Sequence, residues 1–98
     1  MDLEQLKQVL LGTVDDDWYG LWEIDWAFNS AGVPADFRMR SGALKALVQQ
    51  GAVELWFGLP WSGERIEFEL ALQAISIPSN WEPRTSREQH YYFVGIRD

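Results

Sequence analysis

At Gly51 the apolar pattern of the chain changes period. Before it, Leu44, Leu47 and Val48 recur at the spacing of one helix face; after it, Val53, Leu55 and Phe57 alternate with Glu54 and Trp56 at the two-residue spacing of a strand. A helix that stops at a glycine and passes at once into a strand has to lay its apolar face against the sheet that the strand joins, because neither surface is stable in water alone. The chain is therefore neither all-α nor all-β, and the expectation is an α+β domain. A strand over 52–57 also needs a partner. His90-Tyr91-Tyr92-Phe93-Val94-Gly95-Ile96 is rich in strand-forming residues and apolar on both faces, so a strand over 90–96 is expected to pair with it.

The rest of the chain supplies helices. Leu3, Leu6, Val9 and Leu10 predict a first helix over 2–11 that closes at Gly12. Asp15-Asp16-Asp17 can cap a second helix over about 17–29, on which Trp18, Trp22 and Trp26 form one stripe and Leu21, Ile24 and Phe28 another. The expectation is that both stripes are covered, the tryptophans serving as an internal spine. A third helix ends at Gln50-Gly51 and starts either at Pro34 or, capped by Ser41, at Gly42. Residues 64–77 carry both a strand-like and a helix-like pattern, and a short helix over 68–76 is favoured. Trp81 is expected to anchor the loop after it.

This order of elements, with Ala43-Leu44-Lys45-Ala46-Leu47-Val48-Gln49-Gln50-Gly51-Ala52-Val53-Glu54-Leu55 at its centre, resembles the junction of recognition helix and wing in winged helix-turn-helix domains. Together with Trp18, Leu21, Trp22, Trp26 and Trp81, the chain looks like small bacterial winged-helix-like proteins. The resemblance implies a three-helix core, a two- or three-stranded antiparallel wing and an inserted short helix, all in one domain over 1–98. It also implies a nucleic-acid surface in which Arg38, Arg40 and Lys45 of the third helix would contact phosphates or base edges. Two features depart from the DNA-binding pattern. The segment between the wing strands, 58–88, runs to 31 residues, and the formal charge is −7.

The charge is unevenly spread. Residues 1–36 carry eight acids against Lys7 alone, whereas 37–65 carry Arg38, Arg40, Lys45 and Arg65 against Glu54 and Glu64. An acidic domain of this kind is repelled by polyphosphate and attracted to basic partners. The chain has no cysteine and one histidine, which removes disulfides, thiolate metal sites and cysteine nucleophiles. Asp15, Asp16 and Asp17 lack the following glycine and glutamate of a calcium loop, and His90 has no second histidine to share a metal with. Glu67 with Glu69 and Glu82 with Glu88 are flanked by no phosphate-binding loop, and Ser62 lacks the strand-to-helix setting of a nucleophile. No cofactor, metal or enzymatic activity is expected. No apolar run reaches the roughly 18 residues of a membrane span, and the acidic first residues are unlike a signal peptide, so a cytoplasmic protein is expected.

Tryptophan and arginine are the residues that most often anchor protein interfaces. Trp56 shares a strand face with Glu54, and Trp61 sits in the Pro60 and Gly63 turn. With Glu54, Glu64 and Arg65 at its edge, the pair Trp56 and Trp61 is the expected surface for another protein or a second copy, of the kind an acidic inhibitor or immunity-type protein would use. DNA binding through Arg38, Arg40 and Lys45 is the alternative, with Arg40 also able to form an ion pair with an acid of the tryptophan helix.

Overall fold

The computed structural model describes residues 3–14, 18–32, 36–59, 62–83, 85–86 and 88–96. In chain order these form helix α1 (Leu3–Val14), strand β1 (Tyr19–Gly20), helices α2 (Leu21–Ser30) and α3 (Phe37–Gln49), and strands β2 (Val53–Gly58) and β3 (Glu64–Arg65). Helix α4 (Phe68–Ile75), a 3-10 turn (Pro78–Trp81) and strand β4 (Tyr91–Ile96) complete the order. The α+β class expected from the change of period at Gly51 is the observed one. The strands make one antiparallel sheet in the order β1-β4-β2-β3, wider than the expected two or three.

β2 and β4 pair along their whole lengths, Leu55 opposite Val94 and Trp56 opposite Phe93. Val53, Leu55 and Val94 turn one sheet face into a core completed by Leu6, Leu10 and Val14 of α1, Leu21, Ile24 and Phe28 of α2, and Leu44 and Leu47 of α3. The expected core stripe of the second helix is thus the buried one. α3 ends where the sequence indicates: Gly51 takes φ 75°, a conformation costly for residues with a Cβ, and Ala52 N donates to Leu47 O. α4 lies within one residue of its expected bounds. It lays Ala71, Ala74 and Ile75 on the core, and Trp81 behind it is buried with its Nε1 donating to Ile75 O at 2.9 Å.

Four local expectations are corrected. α1 does not close at Gly12 but continues to Val14, whose side chain is drawn into the core, with Thr13 Oγ1 donating to Val9 O. The second helix begins at Leu21, not near 17: Tyr19 and Gly20 are drawn into the sheet opposite Val94 and Phe93, and Gly20 N donates to the Glu23 carboxylate. Trp18 therefore stands outside the helix, and the three tryptophans do not form one stripe. Nor are they an internal spine, since Trp18 is 44% and Trp26 66% exposed. α3 starts at neither proposed position. Asp36 caps it, its carboxylate accepting from Met39 N, and Ser41 is a buried interior residue. Asp15, Asp16, Asp17 and Pro34 lie outside the described residues.

Candidate interaction surface

The sheet has a second face, turned away from the helices, and the strand registers say what lies on it. Gly20, Phe93, Trp56 and Arg65 are opposite one another across all four strands and so share this outer face. One step along, Gly95 lies opposite Glu54, and the chain leading into β1 brings Trp18 over Gly95. A Cβ on Gly95 would sit within 2.7 Å of Trp18 Cε3, Cζ3 and Cδ2. Near-equal closeness to three contiguous ring carbons places that point over the face of the ring. The indole thus lies flat on the strand at Gly95, and the residue is 44% exposed.

Two more glycines leave room for aromatic rings. A Cβ on Gly20 would meet Trp22 Nε1 at 2.8 Å and Tyr91 Cε2 at 2.9 Å, and one on Gly63 would meet Phe93 Cζ at 2.5 Å. Trp18 packs edge-to-face with Trp56, centroids 5.1 Å apart and planes 80° apart, and with Phe93 at 5.8 Å. Tyr91 and Phe93 are 5.5 Å apart. Each such pair adds about 0.5–1.5 kcal/mol beyond its buried area. Phe93 is buried here but does not belong to the main core, so the outer face has an aromatic layer of its own. The Trp22 and Trp56 indole N–H groups are buried in that layer without an acceptor among the described residues.

The residues read from the sequence as a partner surface separate on this geometry. Trp56, Glu54 and Arg65 come together on the outer face, with Arg65 Nη1 3.5 Å from Glu54 Oε1. Glu64 pairs with Phe57, which itself packs against Tyr92 and His90, and so belongs to the other face. Trp61 lies outside the described residues. Trp56 was expected to be more exposed than the tryptophans of residues 18–26. For Trp18 and Trp26 the order is reversed: both are exposed, while Trp56 is half-buried with Trp18 packed edge-to-face against it, and Trp22 is half-buried as Trp56 is. Trp18, Trp22, Tyr91 and Phe93 were not read as site residues. Gly95 inside an apolar strand was the available signal, since an interior glycine often marks a close approach.

The cations of α3 are dispersed. Arg40 Nε meets Asp25 Oδ1 of α2, the ion pair anticipated as its other use. Burial raises the pKa of Asp25 above 3.8, and the Arg40 charge opposes but does not cancel that effect. Lys45 Nζ donates to Ser76 Oγ at the end of α4, which packs along α3. Arg38 is exposed at the rim of a groove of about 270 Å³ lined by Leu3, Leu6, Met39 and Gly42 between α1 and α3. Among the described residues no three His, Asp or Glu side chains cluster to hold a metal ion, and no helix is long and apolar enough to cross a membrane.

No family model, curated protein or solved structure matches the chain.

Proposed function

We propose that this chain is a non-enzymatic winged-helix-like domain that binds another protein through the outer face of its sheet. The observation that carries the reading is the aromatic layer there: Trp18, lying on Gly95 and 44% exposed, is joined to Trp56 and edged by Glu54 and Arg65. A large rigid side chain, half-covered and rimmed by charge, is what an interface anchor requires. The order of elements supports the winged-helix reading. A strand precedes the α2–α3 pair, β2 follows it, and β4 returns between β1 and β2. DNA binding by α3 has less support. Arg40 is engaged with Asp25, Lys45 with Ser76, and α4 lies along the helix that would have to enter a groove.

A photoreactive phenylalanine analogue placed at Arg65, and in a separate variant at Gln49 on the exposed side of α3, separates the two readings in the native host. Protein adducts from position 65 that disappear with Trp18→Ala are expected, with none from position 49. Nucleic-acid adducts from position 49, or protein adducts from 65 that persist without Trp18, would overturn the proposal. An adduct between two copies of the chain, with sedimentation reporting the assembly, identifies the partner as the protein itself.

A further inference from the structure

One indole belongs neither to the core nor to the aromatic layer of the sheet. Trp26 lies on α2 opposite the buried stripe of Leu21, Ile24 and Phe28, and at 66% it is the most exposed large apolar residue among those described. Among the described residues no other ring packs against it. An indole so placed adds little to the fold, and tryptophan is among the side chains most enriched as interface anchors.

A seat of matching size and chemistry exists on the same molecule. The groove between α1 and α3 measures about 270 Å³ and is lined by Leu3, Leu6, Met39 and Gly42, with Arg38 at its rim. An apolar cavity of ~150 Å³ already takes a benzene ring, so the larger groove admits an indole. Gly42 keeps it open, since an added Cβ there meets nothing within 4 Å. Arg38 is exposed and pairs with no carboxylate among the described residues. A guanidinium is planar and weakly hydrated and stacks on an indole face, and the Met39 thioether favours contact with an aromatic ring. Trp26 does not line the groove of its own chain, so an indole that fills it comes from another molecule. Trp26 belongs to the stretch 1–36, with eight acids against Lys7, whereas Arg38 lies in the stretch 37–65, with four cations against two acids. Their contact sets opposite charges together in a chain whose total of −7 otherwise repels its copies.

We infer that Trp26 of one copy seats in the α1–α3 groove of a second copy, with Arg38 stacked on the indole. This contact is separate from the sheet face proposed above as a partner surface. Knob and groove are different patches, so copies join head to tail. A single anchor associates weakly, and sedimentation equilibrium of the full chain should show an average mass rising above that of the monomer between roughly 10 μM and 1 mM. Trp26→Gln removes the knob at an exposed helix position, and Gly42→Leu fills the groove from a position that opens on free space. Each variant alone should stay monomeric, with circular dichroism confirming that both fold. Mixed one to one they should form a dimer that grows no further, since one keeps the groove and the other the indole. Arg38→Gln should weaken association by roughly 2- to 30-fold, and Trp18→Ala should leave it unchanged. The inference is overturned if the native chain stays monomeric to the top of that range, if association survives Trp26→Gln or Gly42→Leu, or if the mixture stays monomeric. Loss of association with Trp18→Ala would assign the contact to the sheet face and overturn it equally.

Discussion

Replacing Gly95 by alanine puts a methyl group where the face of the Trp18 indole lies, within 2.7 Å of three of its carbons. No rotation of a methyl relieves that overlap, so the indole must leave. With Trp18 44% exposed, roughly half of a side chain able to bury ~250 Å² is covered, about 125 Å². At ~25 cal/mol per Å² its release costs about 3 kcal/mol, and the edge-to-face contacts with Trp56 and Phe93 add to that. Against this, alanine in a strand is better than glycine by about 0.5–1 kcal/mol, and the displaced ring recovers some contact elsewhere. The net expectation is a loss of about 2–3 kcal/mol in urea unfolding, with a red shift of tryptophan emission. The cause is isolated by repeating Gly95→Ala in a Trp18→Ala background, where the methyl has nothing to displace and should be neutral or stabilising. Equal losses in both backgrounds, or no loss in the native chain, would refute the flat seating of Trp18 and the interaction surface built on it.

Gly42 is the counterpart, a glycine inside α3 whose added Cβ meets nothing within 4 Å. Gly42→Ala should raise stability by about 0.5–1 kcal/mol, and a loss would mean that the α1–α3 groove is filled. Trp81→Phe deprives the Ile75 carbonyl of its buried donor and should cost about 1–3 kcal/mol, against less than about 0.5 if that bond is immaterial. For Asp25 the folded pKa is raised, so in the window above 3.8 the native state holds the proton more tightly than the unfolded state does. Its contribution to stability is therefore greatest at low pH and is lost as pH rises through the folded pKa. Carboxyl carbon NMR should place the Asp25 midpoint above 3.8, and Arg40→Met should move it higher still by removing the opposing charge. A midpoint at or below 3.8, or a fall with Arg40→Met, contradicts that account.

The parts of the fold that were readable came from periodicity along the chain. α4, β2 and β4 were recovered within one residue at most boundaries, and Gly51 was identified as the junction, because apolar spacing and helix termination are local properties. The end of α1 and both starts, of α2 and α3, were misread. Helix ends depend on which residue wins a competing partner: Tyr19 and Gly20 pair with β4, and Asp36 supplies the cap to α3. The tryptophan stripe failed for the same reason. The i, i+4, i+8 spacing of Trp18, Trp22 and Trp26 is real in the sequence, but it aligns three rings only if all three residues are helical.

The site divided along a similar line. Trp56, Glu54 and Arg65 could be grouped because alternation within one strand and nearness across a short loop put them on one face. Trp18 could not be joined to them, since 38 residues separate it from Trp56 and only the order β1-β4-β2 makes them neighbours. By itself the sequence determined the α+β class, the helix-to-strand junction at Gly51, the acidic balance and the exclusion of thiol chemistry, all of which follow from residue identity and short-range spacing. Only the tertiary structure decided that a glycine in β4 lies beneath a tryptophan from before β1, that Asp25 takes Arg40, and that α4 takes Lys45. Those choices are made by long-range pairing, where the gain from burying one surface against a distant one outweighs local propensity.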